Sequence, residues 1–226
     1  MGNINASIQQ FILYMVALIF SLSVHESAHA WMSNKFGDDL ARLQGRISLN
    51  PVSHVDPIGT LLFPAIAFFT GAPLIGWAKP TPVNPLRWRN KRVANFWVSA
   101  AGAISNFIIA IIAGVGIRAL YVFGITDGLE MRPGSSIIAT GAFELLLTFF
   151  ILNVSLGVFN LLPIPPLDGS KVLASILPPS FEAGIETLER FGFILLFIAV
   201  FTGVLGVIFG IVMPIAWALV FIGASP

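Results

Sequence analysis

From Val93 to Phe123 a single charged side chain, Arg118, interrupts an otherwise uncharged and mostly apolar run. Such a run exceeds the roughly 20 residues that a helix needs to cross the hydrocarbon core of a bilayer. Further apolar runs cover Ile8 to Ser33, Gly141 to Leu162 (where Glu144 is the only charge) and Phe191 to Val212. Charged residues make up 10% of the chain, against roughly 25% in soluble domains, so a water-exposed surface cannot be covered. The expected fold is an all-α polytopic membrane protein with about four to five transmembrane segments. A re-entrant element and a short membrane-associated β-hairpin are expected beside them, all in one domain over residues 1–226.

The connecting segments refine this picture. Met1 to Gln10 carry no charged side chain, which lacks the basic start of a secretory signal, so the first run reads as a retained helix. Residues 34–57 are polar and mixed in charge, and Arg42 to Leu49 alternates imperfectly, as a short strand or hairpin would. Ile58 to Ile75 is apolar but broken by Pro64, Gly71 and Pro73. Residues 79–92 hold Lys79, Arg87, Arg89, Lys91 and Arg92 with no acid. A polar loop with Asp127, Glu130 and Arg132 follows the Val93–Phe123 run. Pro163, Pro165 and Pro166 prevent regular helix before Asp168. Residues 170–190 suit the membrane interface, and Pro214 is expected to end the last span. Arg118, Glu144 and Arg190 read as interfacial anchors, and the 20 phenylalanines as packing or lipid-facing residues. The net charge of +1 and the absence of a basic run interleaved with aromatics give no sign of nucleic-acid binding. The chain has no cysteine, so disulfides and thiolate ligands are excluded and any transition-metal site must use His, Asp or Glu.

The chemistry sits inside the first apolar run, in His25-Glu26-Ser27-Ala28-His29. Helical positions i and i+4 share a face, so both imidazoles can reach one metal ion, and Glu26 stands close enough to deprotonate a metal-bound water. Three ionisable side chains within one turn of a membrane helix are unfavourable unless they face a cavity and one another. A catalytic zinc usually takes three protein ligands. Asp168, just past an apolar span on a proline-broken segment, is the leading third ligand, with His54 and Asp56 as rivals. An Asp-Gly pair is also an ordinary turn.

Three blocks carry a resemblance. They are His25–His29, Asn50-Pro51-Val52-Ser53-His54-Val55-Asp56-Pro57-Ile58-Gly59-Thr60, and Asn160-Leu161-Leu162-Pro163-Ile164-Pro165-Pro166-Leu167-Asp168-Gly169. Together and in this order they resemble the site-2 protease family of intramembrane zinc metalloproteases, over most of the chain. The resemblance implies one Zn2+ per chain held by His25, His29 and Asp168, with Glu26 as general base. It further implies cleavage within the membrane segments of single-span proteins, including membrane-tethered regulators already cut once. The family's Gly-Pro-x-x-Asn element stands here as Gly102-Ala103-Ile104-Ser105-Asn106, without the proline. Asn106, Asn160 and His54 are therefore candidate substrate or oxyanion contacts. Asn106 equally suits an interhelical hydrogen bond; for His54 a site role, holding the active-site water or a fourth metal position, is favoured over merely holding its own loop. The length accommodates neither the PDZ domain nor the CBS pair of the longer branches, so the minimal branch is the expected match.

A parity argument is independent of the family. The ligands lie near the C-terminal ends of two membrane segments, at 25–29 and at 168. They can share one ion only if both segments run in the same direction, which requires an odd number of crossings between them. Residues 93–123 supply one, so Ile58 to Ile75 should dip in and return. The basic cluster at 79–92 is then cytoplasmic by the positive-inside rule, the N-terminus lies outside, and the site sits nearer the cytoplasmic face of a prokaryotic cell membrane. Pro163 to Asp168, irregular backbone at membrane depth, is expected to line a water path. With the strand near Arg46, it is also expected to offer pairing to an unwound substrate. Two other readings are a metal transporter using His25, His29 and Asp168 as a transit site, and an inactive scaffold. The chain lacks the internal repeats common in transporters, and a transit site has no need of Glu26. The oligomeric state is not legible.

Overall fold

The computed structural model describes residues 2–72 and 76–223. Helix α1 (Gly2–Lys35) is followed by a single turn, α2 (Leu40–Leu43), and by a π-helical turn at Pro57–Leu62 that runs into α3 (Phe63–Thr70). Helix α4 (Lys91–Val122) leads to a small hairpin of β1 (Thr126–Asp127) and β2 (Glu130–Met131), and then to α5 (Ile137–Leu161). Short helices α6 (Asp168–Ile176) and α7 (Glu182–Arg190) precede α8 (Gly192–Phe201) and α9 (Val204–Val220). Among the described residues, α1, α4 and α5 are each long and apolar enough to cross a membrane. The pair α8 and α9, bent by 68°, makes a fourth if taken as one span. The protein is thus a polytopic helical membrane protein, and the antiparallel pairing of Thr126 with Met131 supplies the small sheet.

Helix α4 is the central element and packs against α1, α5 and α6. Its buried face reads Ala94, Ala101, Ala103, Ala110 and Ala113, with Gly102 and Gly114 among them. Without a hydrophobic drive between helices in lipid, small side chains let backbones approach until van der Waals contacts and hydrogen bonds decide the packing. Beyond this seam, Ile117, Phe143, Phe150 and Val154 build the apolar core between α4 and α5, against which α9 packs.

Three expectations change. The stretch Arg42–Leu49 contains no strand; the hairpin lies at residues 126–131 instead. Its start is helical because Asp38 accepts from Leu40 N–H, and α2 closes in a Schellman motif. There Arg46 N–H reaches Ala41 O at 2.9 Å and Gly45 N–H reaches Arg42 O at 3.0 Å. The Arg46 side chain then turns inward to Lys79 O rather than alternating toward solvent. The last span also breaks elsewhere than expected. Thr202–Gly203, with Gly203 at φ +81°, separates α8 from α9, whereas Pro214 is accommodated inside α9. The chain before and after Pro214 stays helical, as membrane helices commonly tolerate.

The segment from Pro57 to Thr70 is too short to span the core, at about 21 Å for its length. Pro73 and Ile75 lie outside the described residues, yet Trp77 N–H bonds Gly59 O at 3.1 Å, so the chain comes back to the level at which it left. Such a return is re-entrant. From there residues 76–84 run extended, without regular secondary structure, alongside α1. The far end of this strap is tied to Asp38, a fully buried carboxylate (0% exposed). Asp38 accepts from Ser33 Oγ at 3.0 Å, Leu40 N at 3.2 Å and Asn84 N at 2.7 Å. Replacing Asp38 with Ala leaves these donors unsatisfied. It is expected to lower the thermal midpoint in detergent by about 4–8 °C, equivalent to roughly 2 kcal/mol, by circular dichroism.

Candidate metal centre

His25 and His29 occupy successive turns of α1, and Asp168 opens α6 just beyond the proline-broken end of α5. Gly169 sets its approach, because a Cβ there would collide with the carbonyls of Leu161 and Leu162. One ligand atom from each of the three side chains lies within 4.8 Å of the others. His25 Nε2 stands 3.2 Å from Asp168 Oδ2, His29 Nε2 stands 3.1 Å from it, and the two Nε2 atoms are 3.0 Å apart. This brings Asp168 to the histidines, and leaves His54 and Asp56 outside that cluster. Asp56 instead caps the π-helical turn, accepting from Ile58 and Gly59 N–H.

The protonation pattern follows from groups that can only accept. His29 Nδ1 lies 2.6 Å from Val98 O, so that nitrogen carries the hydrogen and Nε2 presents its lone pair inward. For His25 the assignment starts further away. Asn153 Nδ2 donates to Phe149 O at 2.8 Å, which orients the Asn153 amide. Its Oδ1 then accepts from Asn106 Nδ2 at 2.9 Å, and Asn106 Oδ1, 2.7 Å from His25 Nδ1, takes the imidazole proton. Ser21 Oγ completes the network at 2.8 Å from Asn153 Nδ2. With both imidazoles neutral, three acceptor atoms converge with no donor among them, an arrangement that a cation reconciles. Their separations are close to the ~3.3 Å edge of a tetrahedron with zinc-type bonds of ~2.0–2.1 Å. The donor set of two imidazoles and a carboxylate, with both imidazoles oriented from behind, fits a zinc-type ion.

Gly102 closes the back of the centre. A Cβ on it would lie 2.5 Å from His25 Nε2, so only glycine lets α4 press against both imidazoles. Asn106 is fully buried (0% exposed) and engaged at both ends of its amide, with His25 on one side and Asn153 on the other. Asn160 lies on the last turn of α5 with its amide donating to Leu156 O at 2.9 Å. His54 is 1% exposed, donates through Nε2 to Ser48 O at 2.8 Å, and leaves Nδ1 without a partner among the described residues. Burial holds its imidazole below the ordinary range, and the Arg46 charge adds to this. The bond to Ser48 O and the Glu26 carboxylate oppose both. Burial likewise lowers the Arg46 guanidinium, while Glu26 opposes it. Glu26 is half-buried, and its carboxylate meets Thr81 of the strap.

Sequence reasoning overlooks Thr81, Asn153 and Ser21, and it names Gly102 only as part of the Gly102–Asn106 element. Asn153 and Ser21 carried a faint signal, as polar residues in apolar spans, whereas Thr81 acquires its place only when the strap folds back.

Comparison with known proteins gives the family. Residues 121–199, which include Asp168 but not His25 or His29, match the model of peptidase family M50. The chain is 39% identical to YwhC of Bacillus subtilis, over 85% of this chain and 81% of that protein. The chain belongs to peptidase family M50. Within this site-2 protease family it is also 28% identical to Rip2 of Mycolicibacterium smegmatis, over 85% of the chain and 68% of the relative. To MJ0611 of Methanocaldococcus jannaschii it is 30% identical, over 75% and 73%. All three are named as candidate zinc metalloproteases. No solved structure matches the chain.

Replacing Asn106 with Ala removes the acceptor for His25 Nδ1–H. It is expected to weaken divalent-ion binding at the three side chains about 10–100-fold, measured by chelator competition.

Proposed function

We propose that this M50 peptidase is an intramembrane zinc endopeptidase that hydrolyses peptide bonds within the apolar segment of single-span membrane proteins. The observation that carries it is the placement of His25, Glu26 and His29 on a helix long and apolar enough to cross a bilayer, with Asp168 brought to the same point. A water-soluble peptide would have no route to a site at that depth, whereas a membrane-embedded segment is already there.

Zinc is the metal of the family relatives, and in this reading one ion is held by His25, His29 and Asp168. When bound it supplies Lewis acidity, lowering the pKa of water and polarising the scissile carbonyl. Glu26 follows His25 on the same helical turn and takes the proton of the attacking water. It returns that proton to the leaving amine nitrogen as the C–N bond breaks, so the carboxylate ends as it began. Asn106 and Val98 O keep the Nδ1 protons of both histidines pointing away from the reacting centre. Asp168 adds a negative charge that balances the ion in a medium where an unpaired charge is strongly disfavoured.

A substrate helix shields its own peptide bonds by hydrogen bonding, so the cut requires an extended stretch. The non-helical backbone at Pro163–Leu167, beside Asp168, is suited to lining both that stretch and a path for water. His29 lies about 9 Å along α1 before Lys35. Arg89 N–H bonds Phe36 O at 3.0 Å, so the basic cluster of residues 79–92 shares this end of the bundle. By the positive-inside rule this end is cytoplasmic, the N-terminus is outside, and cleavage occurs nearer the cytoplasmic face of a prokaryotic membrane. Membrane-tethered regulators already trimmed outside the membrane are the substrate class that suits such a site.

Glu26→Gln keeps the shape of the side chain and removes the base. It is expected to lower cleavage of a single-span peptide about 10²–10⁴-fold with zinc content unchanged. Cleavage at the wild-type rate contradicts the mechanism, and metal uptake retained in the absence of any cleavage by the wild type would instead mark a transporter.

A further inference from the structure

We infer that Thr81 is a positioning residue that holds the Glu26 carboxylate in its reactive orientation; this rests on the reading of Glu26 as the general base. In Pro80-Thr81-Pro82 neither proline has an amide hydrogen, so Thr81 N–H is the only backbone donor of the three residues. That donor lies 2.8 Å from Glu26 Oε2. The Thr81 hydroxyl is 2.8 Å from the same Oε2 and 2.9 Å from the Glu26 backbone carbonyl, and its one hydrogen can serve either. Both donors thus engage Oε2 and the turn of α1 that carries it, leaving Oε1 as the oxygen for proton transfer.

The strap is anchored without help from Glu26, so the carboxylate is the held partner. Trp77 N–H bonds Gly59 O at 3.1 Å, and Thr60 Oγ donates to Trp77 O at 2.8 Å. Lys79 N–H bonds His54 O at 2.8 Å, the buried Arg46 donates to Lys79 O, and Asn84 N–H reaches Asp38 at 2.7 Å. Two prolines fix the backbone torsions on either side of Thr81 and keep it from pairing elsewhere. A glutamate side chain has three rotatable bonds, and a general base acts efficiently only when held within hydrogen-bond reach of its proton. The strap supplies that restraint from outside the helix that carries Glu26. It also gives His54 and Arg46 a place in the site: they fix the strap at Lys79, two residues before Thr81.

The test uses the purified full chain, loaded with zinc in detergent micelles, and a quenched-fluorescent peptide carrying one apolar span. Thr81→Val keeps the shape and the amide but removes the hydroxyl. The expected result is a kcat about tenfold lower with KM and zinc content as in the wild type. Thr81→Ser, which restores a hydroxyl, is expected to return kcat to within about twofold. Should Thr81→Val fail to fold, Thr81→Ala is read by the same three quantities. An unchanged kcat, a raised KM alone, zinc loss together with activity, or no rescue by Thr81→Ser overturns the inference. Glu26→Gln is measured alongside. If it cleaves like the wild type, the general-base reading falls and the inference with it; if it is inactive while Thr81→Val is unaffected, only the role of Thr81 falls.

Discussion

Polar groups placed among membrane helices must satisfy one another, because no water reaches them from the lipid side. That requirement runs through this protein from the metal centre outward. The two imidazoles turn their lone pairs inward only because Val98 O and Asn106 accept their outer protons. Asn106 can do so only because Asn153 accepts from its amide, and Asn153 is in turn oriented by Phe149 O and Ser21. The network ties α1, α4 and α5 together through side chains whose partners leave little freedom. In a soluble protein water could replace any one of these bonds; within the bundle, losing one leaves an unpaired group whose burial is strongly unfavourable.

The packing serves the same end. Small residues along α4 let it lie close to α1 and α5, and Gly102 lets the helix backbone sit against both histidines. A larger residue at that one position would push α4 off the centre and break the contacts of Val98 and Asn106 together. Alongside α1 the strap at residues 76–84 contributes what a helix bundle cannot, an extended backbone whose Thr81 amide donates to Glu26. The helices thus hold the proposed ligands, and the irregular segments hold or open the approach to the proposed reacting groups.

How much of this was legible depends on whether a feature is local. The i, i+4 histidines with Glu26 between them were legible because a helix places them by its pitch alone, and the long apolar runs declared themselves by length. The return of the chain from Gly59 to Trp77 was legible through parity, a constraint on the whole chain that needs no side-chain detail. Asp168 led its rivals by its place just past an apolar span, the family resemblance made that choice firm, and the structure brings it, rather than His54 or Asp56, to the histidines. Arg42–Leu49 misled because its alternation is produced by a capped helical turn followed by an inward arginine. Pro214 misled because the break falls at Gly203, where a left-handed residue ends α8. Thr81 was not legible and Asn153 only faintly so, since their partners lie 55 and 47 positions away in the chain, at Glu26 and Asn106.

The zinc content of the purified wild type beside Asp168→Ala, by elemental analysis, bears most directly on the centre built here. The convergence of two α1 histidines on the first residue of α6 predicts about one zinc per chain in the wild type and its loss in the variant. Full zinc occupancy without Asp168 would contradict it, moving the third ligand elsewhere and leaving the approach of α6 to α1 without a metal to explain it.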